Sequence, residues 1–248
     1  MSLAIEIESL KKEYKGAFAP ALDGLSFSVQ ENQIVGLLGP NGAGKSTSIN
    51  ILCGLLHADS GTARILGKDC GTDTQYIRQQ IGIVPQQIAL FPNLSAWENF
   101  RYIGKLYGLD KNTINQRAQL LLERLDMDKH ANKRVVRYSG GMKRRVNVIA
   151  SLLHQPQLVI LDEPTAGVDV QSRAMILNFL KEYKEQGNTI LYTSHHLEEA
   201  EKICEDVVII DQGKNIVSGS PADLIQQTPN CNRLEDVFLH YTGHSVRD

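Results

Sequence analysis

Apolar and polar positions along this chain follow two patterns. Residues 3–8 (LAIEIE) and 24–30 (GLSFSVQ) alternate apolar with polar, the period of a strand with one buried face. Residues 33–38 (QIVGLL) and 157–161 (QLVIL) are largely continuous apolar runs, which suits strands covered on both faces. Short runs at 62–66, 81–84, 189–193 and 207–211 read as further strands. Apolar residues recur at helical spacing in STSINILCGLL after residue 45, at 142–154, at about 171–186 and at 195–204. From about 97 to 127 the pattern is helical and charged. Strand and helix therefore alternate, which predicts an α/β fold on a mostly parallel sheet with right-handed crossovers. The stretch 87–155 interrupts that alternation and reads as a helical insertion. The last twenty residues or so are polar and are expected to be loosely held.

Composition narrows the class. Of 248 residues, 42% are hydrophobic and 22% charged, which is globular usage and enough to bury a sizeable core. A net charge of −2 offers no basic field, so no nucleic-acid partner is expected. No apolar run approaches the ~18–20 residues of a membrane span. The opening segment MSLAIEIESLKKEYKG lacks a signal-peptide core. Cys53, Cys70, Cys204 and Cys231 form no C-x-x-C pair, so neither a zinc site nor a disulfide framework is indicated. The expectation is a soluble intracellular protein; a span within the chain is excluded, whereas a membrane partner is not.

One segment carries explicit chemistry. Gly39-Pro40-Asn41-Gly42-Ala43-Gly44-Lys45-Ser46-Thr47 matches G-x-x-x-x-G-K-[ST] and lies between a buried strand and a helix, the context the motif requires. Its glycines let backbone N–H groups turn inward around phosphate oxygens, and the following helix points its positive end at the same anion. Lys45 would neutralise the β- and γ-phosphates, and the Ser46 hydroxyl would hold Mg²⁺. The complementary acids stand at the end of the strand Leu158-Val159-Ile160-Leu161. Asp162 would hold Mg²⁺ through water, and Glu163 is placed to polarise an attacking water. Alone, two adjacent carboxylates read equally as the solvated start of a loop; the intact phosphate loop is what gives them a role.

Tyr138-Ser139-Gly140-Gly141-Met142-Lys143-Arg144-Arg145 lies between the phosphate loop and the acidic strand. A Ser-Gly-Gly step opening a basic helix at this place resembles the signature motif of ABC-transporter ATPases. Further positions fit the resemblance. Gln86, in Ile83-Val84-Pro85-Gln86, is similar to the glutamine that reaches Mg²⁺ and the lytic water. Ala166-Gly167-Val168-Asp169 is similar to the loop that crosses a dimer interface. His195 matches the histidine on the γ-phosphate, with the adjacent His196 read as a solvated helix residue. Tyr14 stands where the family stacks an aromatic on adenine, with Phe18 as its rival. Trp97 and Phe100 either face a partner or pack the insertion.

The resemblance covers residues 3 to 227. It implies a P-loop NTPase core with a mostly parallel sheet, an N-terminal antiparallel β part and a helical insertion. The implied organisation is one ATPase domain over 1–227, with the signature subdomain at about 87–155 and a short tail at 228–248. It implies ATP and Mg²⁺ as cofactors and ATP hydrolysis coupled to transport. The implied partners are a second ATPase subunit, identical or a sister chain, and a separate membrane-spanning permease. Ser139, Gly140, Gly141 and Asp169 would then meet ATP held by the other subunit. The segment after Gln86, with Leu90, Phe91, Pro92 and Trp97, would carry motion to the permease. The implied location is cytoplasmic, peripheral on the inner face of the cell membrane. Tyr138 and Met142 depart from the commoner leucine and glutamine. The Y-S-G-G-M form, with LYTSHHLEEAE downstream, resembles the branch serving drug, lipid and polysaccharide exporters. An importer ATPase remains an alternative, as does a non-transport ABC ATPase. The latter usually carries tandem cassettes, a long coiled coil or a metal cluster.

Overall fold

A computed structural model describes residues 2–243. In chain order the strands are β1 (Leu3–Lys12), β2 (Leu22–Gln30), β3 (Ile34–Leu38), β4 (Ser60–Ile65), β5 (Lys68–Asp69), β6 (Ile81–Val84), β7 (Leu158–Asp162), β8 (Thr189–Thr193), β9 (Asp206–Asp211) and β10 (Lys214–Gly219). The helices are α1 (Lys45–Leu52), α2 (Thr74–Gln80), α3 (Ala96–Leu106), α4 (Lys111–Arg124), α5 (Gly140–Leu152), α6 (Val170–Glu185), α7 (Leu197–Ile203), α8 (Pro221–Gln227) and α9 (Leu234–Thr242).

Two sheets form. One runs β2-β1-β4-β5 and is antiparallel; the other runs β10-β9-β3-β8-β7-β6 and is parallel except for the edge strand β10. The larger sheet separates two cores. Val35, Leu37, Ile160, Leu191 and Val208 face the antiparallel sheet and α1. Their chain neighbours Ile34, Leu38, Val159, Leu161, Ile190 and Val207 face α5, α6, α7 and the insertion. Successive strand side chains point to opposite faces, so burial on both sides requires an unbroken apolar run. That is why β3 and β8 are buried at every position and β7 at all but its last, Asp162. The site acids sit at the C-terminal end of β7, where side chains leave the sheet for a crevice.

The structure refines the sequence reading at some places and departs from it at others. The 97–127 stretch is two helices, broken at Gly108, whose φ is +75°. Asp110 then caps α4 by accepting from the N–H groups of Asn112 and Thr113. The helix read at 195–204 starts at Leu197, which leaves His195 on the loop. The tail is not loosely held in its described part: α9 buries Leu234, Val237 and Phe238 fully, against α7 and α8. Those three residues sit at i, i+3 and i+4, one helical face within a polar stretch. Residues 244–248 lie outside the described part. Phe100 is fully buried and Trp97 packs beside it, so both fill the insertion's core.

Candidate functional site

The phosphate loop follows β3 without slack. At Gly39 a Cβ would strike the Ile210 carbonyl, and at Gly44, with φ +106°, one would lie 2.6 Å from the Ala21 carbonyl. Both positions exclude larger residues, and the turn is held before any ligand arrives. Gly44 caps α1, whose first residue is Lys45. The Lys45 ammonium donates to the Gly39 carbonyl at 2.6 Å and the Pro40 carbonyl at 3.1 Å, folded over the loop. Burial lowers its pKa, opposed by the nearby Glu163 and Asp162 carboxylates.

One cleft is lined by Asn41, Gly42, Ala43, Gly44, Lys45, Ser46 and Thr47, and across it by Gln86, Asp162 and Glu163. Asp162 Oδ1 accepts from Thr193 Oγ1 at 2.8 Å, and burial raises its pKa. Glu163 adopts a left-handed backbone, φ +49°, rare for a side chain of its size. Its N–H donates back to Thr193, to the carbonyl at 3.2 Å and to Oγ1 at 3.1 Å. The turn aims the carboxylate into the cleft, where Oε2 accepts from Gln86 Nε2 at 2.8 Å and lies 3.3 Å from His195 Nδ1. Gln86, Glu163 and His195, drawn from three loops, thus converge on one oxygen. The Ser46 hydroxyl, the Gln86 amide and the Asp162 carboxylate supply oxygens suited to a hard divalent cation, so this donor set fits Mg²⁺.

The whole chain architecture then meets known proteins. The family model described as ABC transporter matches residues 22–166, more than half of the sequence. The chain belongs to the ABC transporter family. The linearmycin resistance ATP-binding protein LnrL of Bacillus subtilis (strain 168) is 45% identical over 245 residues, covering 98% of this chain and 76% of that protein. The Nod factor export ATP-binding protein I of Ralstonia nicotianae is 39% identical, covering 93% and 71%. Among solved structures, the ATP-binding subunit of an ABC transporter superposes with a TM-score of 0.87 at 28% identity, covering 96% of this chain and 99% of that one. The cbiO1 chain of Clostridium perfringens, part of the ABC transporter complex cbiONQ, gives 0.82 at 27% identity, covering 92% of each. This chain is therefore an ATP-binding, ATP-hydrolysing subunit of an ABC transporter, with the P-loop NTPase fold and a partnering membrane subunit. Among the described residues no helix is long and apolar enough to cross a membrane.

Of the remaining predicted residues of this ATPase subunit, Tyr14 borders the cleft and the others lie outside its lining. Tyr14 is 44% exposed, and its hydroxyl lies 3.4 Å from Thr47 Oγ1, which leaves a ring beside the phosphate loop. Phe18 is fully exposed nearby. Ser139 caps α5 by accepting from the Met142 N–H at 3.2 Å. Asp169 caps α6 by accepting from the Ser172 N–H at 2.8 Å, a bond that holds its carboxyl below the usual range. The two caps adjoin: a Cβ on Gly141 would lie 2.9 Å from Asp169 Oδ2 and collide with Ser172. Ser139, Gly140, Gly141 and Asp169 therefore form a second polar patch, separate from the cleft of the same chain.

Arg144 was missed as a functional residue. It is buried at 5% exposure on α5, and its guanidinium donates to the Pro85 carbonyl at 2.9 Å and the Gln86 carbonyl at 2.8 Å. Asn147, one turn on, accepts from the Ala89 N–H at 3.1 Å. The backbone around Gln86 is thus tied to the helix that Ser139 begins. The only signal in sequence is a charged residue at 144 in register with the buried Val148, on the inward side of α5.

Proposed function

We propose that this subunit powers export by closing with a second ATPase subunit around two ATP molecules, at the cytoplasmic face of a membrane permease. The observation that carries the catalytic reading is the convergence of Gln86 and His195 on Glu163 Oε2, across the cleft from Lys45. The glycine loop cradles the phosphates, and Lys45 turns from its loop carbonyls to the β- and γ-phosphates. Tyr14 offers its exposed ring to adenine. Glu163 accepts the proton of the attacking water, Gln86 orients that water, and His195 donates to the γ-phosphate. Ser46, Asp162 and Gln86 would hold Mg²⁺, which would supply charge neutralisation for the transferred phosphoryl group.

The separate patch of Ser139, Gly140, Gly141 and Asp169 supports the dimer reading. It is an anion-ready helix start outside the cleft lining of its own chain among the described residues, suited to the γ-phosphate of ATP held by a second subunit. ATP is then the shared contact, and its hydrolysis releases the pair. Export is favoured over import by the Y-S-G-G-M signature and by relatives whose names specify Nod factor export and linearmycin resistance.

The test is to recover the tagged chain from detergent-solubilised membranes and identify what accompanies it. A multi-span membrane protein, with Mg²⁺-dependent ATP hydrolysis in the complex, is the expected result. An external solute-binding protein in the same complex would replace export by import. Recovery of neither, with hydrolysis intact, would overturn the transport reading.

A further inference from the structure

Among the described residues, Glu199 is the one acidic side chain in the buried set, at 5% exposure. It stands on α7, four residues after His195. Oε2 accepts from Thr165 Oγ1 at 2.5 Å and from the Tyr192 hydroxyl at 2.6 Å. Oε1 lies 3.2 Å from Arg173 Nε, an ion pair held by charge without an aligned hydrogen bond. Each of these partners adjoins a group with a role in the proposed cycle. Thr165, 1% exposed, lies within the loop from Glu163 to Asp169. Arg173 is in the first turn of α6, its N–H donating to the Asp169 carbonyl at 2.9 Å. Tyr192, fully buried, precedes Thr193, which holds both Asp162 and the Glu163 backbone.

Burying a carboxylate carries a desolvation cost that its partners roughly offset, so such a group adds little net stability over an apolar side chain. What it adds is geometry. Tyr192 and Glu199 bracket His195 in the chain, and Thr165 and Arg173 bracket Asp169. A single carboxylate joins the two brackets. Tyr192 remains a donor throughout, because burial, reinforced by the Glu199 charge, holds its proton well above the usual range.

We propose that Glu199 is a positioning residue for ATP hydrolysis, its carboxylate locking the Glu163–Asp169 loop to the strand and helix that flank His195. The assignment rests on the roles given above to Glu163, His195 and Asp169. Through this lock, the position His195 takes on the γ-phosphate is passed to the loop that faces the second subunit. Without it, the cleft still binds ATP, because none of the four residues lines it, but the hydrolytic groups lose register.

The test compares Thr165→Val, Thr165→Ser and Glu199→Gln in the full chain. Valine keeps the shape of threonine and replaces its hydroxyl with a methyl, and thermal melting checks that the fold is kept. The expected result for Thr165→Val and Glu199→Gln is a kcat lower by about 10–100-fold, the scale of a small misplacement of catalytic groups. The Kd for ATP, read by calorimetry with Glu163→Gln as background, stays within about twofold. Thr165→Ser, which keeps the hydroxyl, retains turnover. The Thr165→Val/Glu199→Gln pair is no worse than the worse single variant, as members of one unit are. Unchanged kcat in Thr165→Val and Glu199→Gln, or a loss matched by the unfolded fraction alone, overturns the proposal. Glu163→Gln in the wild-type background separates the two readings. If it abolishes turnover while the Thr165 and Glu199 variants do not, only the lock falls. If it leaves turnover intact, the catalytic reading falls, and the lock with it.

Discussion

Gln86 and Glu163 are 77 residues apart in sequence and meet over 2.8 Å, the amide donating to the carboxylate. His195 approaches the same oxygen at 3.3 Å. An acceptor held by two polar neighbours at the rim of a phosphate cleft is placed to take a proton from water. Glu163→Gln keeps the shape and removes the acceptor. The expected outcome is ATP binding close to wild type and turnover lower by about 10²–10⁴-fold, the range of general-base catalysis. Steady-state hydrolysis together with equilibrium nucleotide binding checks it.

Lys45 answers a different question, that of affinity. Its ammonium now rests on two loop carbonyls, and burial already disfavours its charge. A phosphate chain gives that charge a stronger partner. Lys45→Ala should weaken ATP binding by about 1.5–3 kcal/mol, the worth of a hydrogen bond to a charged group, which is roughly 10–150-fold in Kd. Calorimetric titration with ATP reads it directly.

Arg144 couples two parts of the molecule that sequence places far apart. Its fork spans the Pro85 and Gln86 carbonyls at once, which a lysine point charge cannot do. Arg144→Lys should therefore lower kcat without restoring the geometry. Arg144→Met should in addition destabilise the fold by about 1–3 kcal/mol for the carbonyls left buried. Turnover and denaturant melts of the two variants separate these effects.

What could be read from sequence was local. The phosphate loop is nine consecutive residues, and Asp162 and Glu163 follow directly on a run whose burial on both faces its composition already requires. What escaped is long-range or faint. Arg144 and Glu199 acquire meaning only from partners that folding delivers, the Gln86 carbonyl from 58 residues away and Thr165 from 34. β10 escaped because it is an edge strand with no fully buried position, so KNIVSG carries little apolar alternation. α9 was hidden by polar neighbours around three core residues.

That helix gives a stability test. Phe238 is fully buried between α7, α8 and the rest of the core. Phe238→Ala should cost about 3–5 kcal/mol through lost transfer energy and the cavity left behind. A loosely held tail would show a change within about 0.5 kcal/mol, the usual range for surface substitutions. The midpoint of urea unfolding distinguishes the two.

The separation of the Ser139 patch from the cleft of its own chain makes the shared site testable by mixing. Lys45→Ala spoils the cleft, and Ser139→Arg spoils the patch that faces another chain's cleft. Each variant alone builds pairs in which both sites are defective. In a mixed pair, one site unites the two defects and the other unites intact Lys45 from one chain with intact Ser139 from its partner. ATP should therefore draw the mixture into closed pairs although neither variant closes by itself. If each chain built a complete site from its own residues, every site in the mixture would carry one defect and nothing would be recovered. Turnover is the poorer readout, because coupled firing of both sites would suppress it even in a correctly assembled pair. Energy transfer between dyes on the two variants reports closure alone. Transfer that rises with ATP only in the mixture is the expected result; transfer no higher than in either variant by itself would exclude the head-to-tail arrangement.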